Sequence, residues 1–468
     1  MSIRSNHASV TPALGRWATD LVLSQVPDQV VSNIKKCLLD SIGCGIYGAL
    51  QPWGRIAAEV AIGFSAGGPS SLFARSESVS PADAALANGT AIHGFEIDDA
   101  HVSSSLHPGA VTLPAALAVA QAQNASGAEF LTALVAGYEI GLRVGICAGV
   151  SHSTSGYHVT GTAGTLSAAA AAAKLLRLDS TATAHALAIG ATQAAGLYAA
   201  RLGAMTKRFH AGRAAQSGVV AAYLAAKGFT GSLDALEAPF GGFLSTLRGQ
   251  HDASTMLDGL GSTWETEHVG LKAYAACASA HTTIDGVREL RGKGLTADNL
   301  AQMTIKVSKK SAINIGWPYA PAEVITAQMN GQYAAAVALL DGDAFIDQYT
   351  AERLRDPEIL KIIPRVSFVH DPEIDRGGAS KRHTVKIEAV LTDGSRLSTS
   401  IEQRRGSSHY PLSDEEVFEK FRRLARASLD GQKTDQAIDA VASIEREPNL
   451  KRLTGLLAGR PDGATQTA

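Results

Sequence analysis

Residues 166–178 read LSAAAAAAKLLRL. Six consecutive alanines combine the highest helix propensity with almost no bulk, so this stretch is a helix that its neighbours can approach closely. The same texture extends outward. Ala and Leu are in excess and β-branched runs are few up to about residue 265. Helices are expected over 28–50, 82–94, 114–123, 128–148, 180–198 and 213–226. Pro114 suits a first helical position, where no backbone donor is needed, and Gly228 and Gly231 close the last of these helices.

Beyond Trp264 the pattern changes. Met303, Ile305 and Val307 alternate with polar residues, as in a half-buried strand. TVKIEAVL (384–391) and RLSTSIEQ (396–403) flank Thr392-Asp393-Gly394-Ser395, and Asp-Gly is a hairpin signal. Helical stretches are expected near 282–293, 327–340 and 347–361, and amphipathic helices return over 414–429 and 436–444. The chain thus reads as multidomain and mainly α. A large all-α helical domain covers 1–266 and a smaller α+β domain covers 267–405. A helical return follows over 406–460, with a disordered tail over 461–468.

Bulk properties narrow the function. A length of 468 residues exceeds what one core usually serves. Hydrophobic content of 45% with 18% charged residues is globular. A net charge of −2 offers no broad basic surface for nucleic acid or an anionic membrane. The cysteines (Cys37, Cys44, Cys147, Cys277) form no CxxC pair, which argues against disulfides and zinc and for small buried thiols. The N-terminal segment has no continuous apolar core, and no charge-free run reaches the length of a membrane span. A soluble, cytoplasmic chain is expected.

The densest chemistry is NGTAIHGFEIDDAHVSSSLHPGAVTLP, residues 88–114. Glu96, Asp98 and Asp99 lie there with His93, His101 and His107, between apolar flanks. Charge at the edge of a core must be paired or used. Carboxylate beside imidazole supplies a proton acceptor and donor near neutral pH.

Three further clusters stand out. SHSTSGYHVTGTAGT (151–165) holds His152, Tyr157 and His158, and reads either as a ligand loop or as a helix-capping turn. RLGAMTKRFHAGR (201–213) holds Arg201, Lys207, Arg208, His210 and Arg213, a carboxylate or phosphate site or else a solvated basic turn. KAYAACASAHTTID (272–285) holds Lys272, Tyr274, Cys277 and His281 at the expected domain boundary. A metal reading of His93, His101, His107 and the aspartates rests on Asp98 and His101, three residues apart.

In order and spacing these segments resemble the MmgE/PrpD family over about residues 10–455. The matching pieces are NGTAIHGFEIDD with LHPGAVTLPAALAVA, GYEIGLRVG, GYHVTGTAGTLSAAAAAAKLL, GAMTKRFHAGRAAQSG, KAYAACASAH with TTID, and AAAVALLDGD. The family includes 2-methylcitrate dehydratases, cis-aconitate decarboxylases and iminodisuccinate epimerases. The resemblance implies a homodimer without metal or organic cofactor. It also implies a large helical domain and a smaller lid domain, with the site in the cleft between them and a small anionic carboxylate substrate.

Carried over position by position, it makes Asp98, Asp99, His107, His158, Lys207 and Cys277 the catalytic candidates. Glu96, Tyr157, His210, Arg213, Lys272 and His281 become the substrate-binding candidates. Lys207 would stabilise developing negative charge, and Lys272 or Arg213 would hold a distal carboxylate. His107 and His158 would be base and acid, with Asp98 or Asp99 orienting an imidazole. The chain departs from the family in Glu96-Ile97-Asp98-Asp99 where many members have Asp-aromatic-Asp-Asp, and in Ala100 where Thr is common. Cys277 stands where decarboxylases place His. These departures weigh against cis-aconitate decarboxylation. They favour a lyase that eliminates water from a citrate-like hydroxy acid, with an epimerase using Cys277 as the alternative. The intact lysine and histidines disfavour a non-catalytic scaffold.

Overall fold

The computed structural model describes residues 9–202, 204–247, 250–378 and 381–458, so the tail expected to be disordered lies outside the described residues. The chain divides into two compact units. Unit 1 takes residues 1–94, 98–269 and 414–468; unit 2 takes 95–97 and 270–413. Among the described residues the architecture is mainly α, with one small mixed sheet in unit 2.

Unit 1 is built around helix Val159–Leu175, whose run of six consecutive alanines is fully buried. It packs against helices Gly127–Thr154, Gly109–Gln123, Ser180–Thr192 and Thr206–Ala226. Small residues let the backbones touch: a Cβ added at Gly218 would lie 2.6 Å from Ala169 N, and one at Gly137 would lie 2.7 Å from Ser167 O. Helix Pro81–Ile92 crosses Thr206–Ala226 equally closely, since a Cβ at Gly212 would meet Leu86 O at 2.2 Å. Helix Gly127–Thr154 has a window long and apolar enough to cross a membrane, and 89% of that window is buried inside the protein.

Several helices start earlier than their sequence pattern suggested. The one expected from Pro114 begins at Gly109, and Pro114 sits inside it. The Asp99 carboxylate accepts from Gly109 N at 3.0 Å, which supplies a helix start the proline rule cannot see. The helix expected from Arg213 begins at Thr206, so Lys207, Arg208, His210 and Arg213 of the basic motif lie in its first turns. The return to unit 1 comes with helix Asp414–Ala425, later than the boundary at 406, because residues 407–413 form no helix. This helix packs on Asp28–Ala49, where Phe421 fills the space over Gly43 and Lys420 forms a buried ion pair with Asp40.

Unit 2 holds a four-stranded sheet in the order Val366–His370, Leu300–Val307, Val385–Leu391, Arg396–Ile401. The first pair is parallel and the others antiparallel. Met303, Ile305 and Val307 are buried beside Val385, Ile387 and Ala389, as their alternation required. Gly394 takes φ +86° in the hairpin turn, a conformation that favours glycine. Helices Ala278–Gly292 and Gly331–Asp341 cover the sheet. A Cβ at Gly286 would lie 2.7 Å from the Ile387 side chain. Strand Val366–His370 had no signal in the sequence: Val-Ser-Phe-Val-His is short, and its parallel partner lies some sixty residues away.

Candidate active site

Helix Pro81–Ile92 ends at His93, and the chain then turns out of helical geometry, with Glu96 at φ +56°. That turn brings Asp98 back beneath His93. His93 Nδ1 and Asp98 Oδ2 are 2.6 Å apart, and His107 Nδ1 approaches the same oxygen at 3.3 Å. His107 Nδ1 also lies 2.7 Å from the Asp99 carbonyl oxygen. A carbonyl can only accept, so Nδ1 carries the proton and Nε2 is left with its lone pair. His93 follows the same logic: its Nδ1 serves Asp98, while its buried Nε2 has no hydrogen-bond partner among the described residues.

Two more imidazoles complete the group. His158, at the start of helix Val159–Leu175, stacks on His93 with ring centroids 5.4 Å apart. Its Nδ1 lies 3.1 Å from that of His210, which helix Thr206–Ala226 supplies from its second turn. One of these two nitrogens must donate and the other accept. Lys207, in the first turn of that helix, projects its charge onto His93, His158 and His210.

The electrostatics follow from burial. Desolvation, reinforced by the charge of Lys207 and opposed by Asp98, pulls His93 down to about 4. Burial, then the charges of His93 and Lys207, hold His158 well below its ordinary value. For Asp98, burial works against ionisation. The charges of His107 and His93 outweigh it and hold the carboxyl well below the usual range. The ionised Asp98 carboxylate thus sits beside imidazoles of which burial favours the neutral form at His93 and His158.

Asp99 does different work. Burial and the charges of Asp98 and Asp40 raise it. Its oxygens accept from Gly109 N and from Tyr138 Oη at 2.8 Å, so it ties a helix start to helix Gly127–Thr154. His101 also stands apart, between Ser104 Oγ at 2.9 Å and Glu265 at 3.4 Å. The three groups that could gather a metal ion are therefore His93, Asp98 and His107, whose ligand atoms lie within 4.8 Å of one another. The Asp98 oxygen that would bind it is already shared by two imidazoles.

Two other expected residues of unit 1 fall outside this cluster. Tyr157 is 37% exposed and stacks on His152 at 5.1 Å. Arg213 is exposed and bonded to Gln216 at 2.7 Å; six residues beyond Lys207, it points away around a helix of 3.6 residues per turn. In unit 2, Lys272 Nζ lies 3.3 Å from Glu96 Oε2 and 3.1 Å from the Glu96 carbonyl, so these two satisfy each other while buried. Half-buried Cys277 precedes helix Ala278–Gly292, where His281 is fully buried edge-on to Tyr274.

The family models decide the class. The MmgE/PrpD N-terminal domain matches residues 12–255, and the MmgE/PrpD C-terminal domain matches residues 274–446. The chain belongs to the MmgE/PrpD family. Among its relatives is the cis-aconitate decarboxylase-like protein oryM of Aspergillus oryzae, 31% identical over 96% of this chain and 98% of that protein. The cis-aconitate decarboxylase of Aspergillus terreus is 29% identical over 96% of each chain. The human cis-aconitate decarboxylase is 28% identical over 96% of this chain and 95% of its own.

Within this MmgE/PrpD chain some contributors escaped the sequence reading. His93 was read as part of the proton-handling segment and as a possible metal ligand but was left out of the catalytic candidates, although its hydrogen bond to Asp98 places it at the centre of the cluster. Arg208 passed as one cation in a basic run. It is buried, donates to the Gly94 carbonyl at 2.9 Å and lies over the Trp53 ring at 4.5 Å, pinning the turn that follows His93. The motif GYEIGLRVG matched the family without a role. Its Tyr138 holds Asp99, its Glu139 accepts from Thr266, and its Arg143 donates to the Asp258 carbonyl at 2.6 Å.

Proposed function

We propose that this protein is a cofactor-independent lyase that removes a proton next to a carboxylate and eliminates water from a citrate-like di- or tricarboxylic hydroxy acid. The observation that carries this reading is the Asp98 carboxylate held between His93 and His107, with His158, His210 and the charge of Lys207 beside them. His107 Nε2 bears a lone pair and is the base that takes the α-proton. The electron pair left behind spreads onto the adjacent carboxylate, where Lys207 stabilises it. The C–O bond to the β-hydroxyl then breaks while the His158–His210 pair hydrogen-bonds the departing oxygen, which takes the proton held by His107 and leaves as water. Positioned acid–base groups contribute about 10²–10⁴-fold, and a donor to the developing oxyanion about 10²–10³-fold.

His158→Ala and Lys207→Ala are accordingly expected to fold normally and to lose turnover by these factors. Wild-type rates in both would sink the assignment. Nothing in the scheme needs a metal, so turnover is expected to survive exhaustive chelation.

Decarboxylation of cis-aconitate is the second reading, because the relatives named above carry that activity in their names. Against it stands Cys277, at the position where the resemblance places histidine in decarboxylases. Proton NMR in D₂O over a panel of hydroxy di- and tricarboxylates, cis-aconitate and amino dicarboxylates separates the readings. New vinylic signals with the carbon count unchanged support dehydration. Loss of a carbon as CO₂ establishes decarboxylation. Deuterium entering the α-position without a new skeleton establishes epimerisation.

A further inference from the structure

Arg404, at the end of the segment that follows strand Arg396–Ile401, is 2% exposed. Among the described residues neither Nη1 nor Nη2 has a hydrogen-bond partner. A guanidinium presents five donors and stays charged, so burying one without an acceptor opposes folding strongly. Its surroundings make this sharper. The carboxylate whose charge acts on it is Asp285, and both Asp285 oxygens are engaged, by Tyr274 Oη at 2.7 Å and Arg405 N at 3.1 Å. After burial, the charge that acts on it most strongly is that of Arg382, a cation, ahead of Asp285 and Cys277.

A glycine flanks the group. A Cβ at Gly270 would lie 3.3 Å from Arg404 Nη2. One other buried donor of unit 2 shares the deficit: His383 Nε2 accepts from Arg382 Nε at 3.1 Å, so its Nδ1 carries the proton, and that Nδ1 lacks a partner among the described residues. His383 and His281 are both held neutral by burial and then by nearby cations, with Arg404 acting on each. The Arg404 guanidinium is thus a set of buried donors without an acceptor among the described residues, beside a carboxylate that is already committed.

We propose that Arg404 is the recognition group of a carboxylate subsite in unit 2, its two terminal nitrogens taking one carboxylate of a polycarboxylate in the bidentate geometry that guanidinium favours. The subsite rests on the reading above that the substrate is a polycarboxylate, and it names the residue that selects for it. Lys272 and Arg213, the cations assigned this task from sequence, are bonded to Glu96 and Gln216.

The test is calorimetric titration of the full chain with tricarballylate and with succinate, neither of which can lose water. At least one is expected to bind the wild-type protein. Arg404→Met is expected to weaken that binding by about 30-fold or more, and Arg404→Lys by less, since the charge stays and the fork is lost. Without ligand, Arg404→Met is expected to melt no lower than wild type, because a buried unpaired charge has gone. Unchanged affinity in Arg404→Met, or no binding of either probe to wild type, overturns the proposal. If Arg404→Met does not fold, unchanged affinity in Arg404→Lys overturns it instead. Binding that depends on Arg404 in a protein that turns over nothing in the NMR panel would sink the lyase and leave the subsite. Turnover at wild-type kcat/KM in Arg404→Met would do the reverse.

Discussion

Residue by residue, burial holds His93 of the active cluster and His281 of unit 2 neutral, and that has a thermodynamic cost in acid. His93 at about 4 and His281 well below its ordinary value are both buried. In the unfolded chain each titrates near 6.5. Below that value the unfolded state binds the extra protons. Their contribution to stability is therefore complete above about pH 6.5 and is lost as pH falls toward 4, at about 1.4 kcal/mol per pH unit for each histidine. The melting temperature is expected to fall steeply across this window and less steeply in His281→Gln; identical slopes would show that His281 does not take up a proton on unfolding. Most of the cluster was legible at this scale, since Asp98, His107, His158, Lys207 and His210 come from motifs with distinctive neighbours. The pairing of Glu96 with Lys272 was not, because 176 positions separate them and no local pattern joins them.

For the elements, close approach is the governing fact. Helix Pro81–Ile92 delivers His93 and helix Thr206–Ala226 delivers Lys207 and His210; the two cross where Gly212 meets Leu86 O and Thr90 Oγ1, each 2.2 Å from a hypothetical Cβ. Gly212→Ala is expected to cost about 1–3 kcal/mol in a denaturant titration, as overpacking does. It is also expected to lower kcat, because the helices must separate and carry the cluster apart. Full activity with unchanged stability would mean that this crossing is not tight in solution. Helix existence was readable from Ala-rich composition and strand alternation from period two. Helix starts were read late wherever a distant side chain provided the cap, as Asp99 does for Gly109. The strand at 366–370 is held by a parallel pairing that leaves no mark on its own five residues.

Over the molecule as a whole, unit 2 is a continuous insertion apart from residues 95–97, which leave unit 1 to join it. Through them Glu96 meets Lys272, and the Phe95 carbonyl accepts from Gln328 at 2.7 Å. Removing that carboxylate in the full chain, as Glu96→Gln does, is expected to cost about 3–5 kcal/mol. Glu96→Gln is expected to melt well below wild type and to be partly restored by adding Lys272→Met; equal melting points of Glu96→Gln and wild type would show that the ammonium finds water or another partner. The alanines at the centre of unit 1 carry a different implication, for how this chain can change. Replacing any residue from 168 to 173 with a larger one adds volume where backbones already touch, whereas the alternate outward residues of strand Arg396–Ile401 face solvent. A mutagenic library screened for new substrates would therefore recover few variants in the alanine run and many in unit 2. Successive rounds of selection would diversify one unit while the skeleton of the other stayed that of the founder.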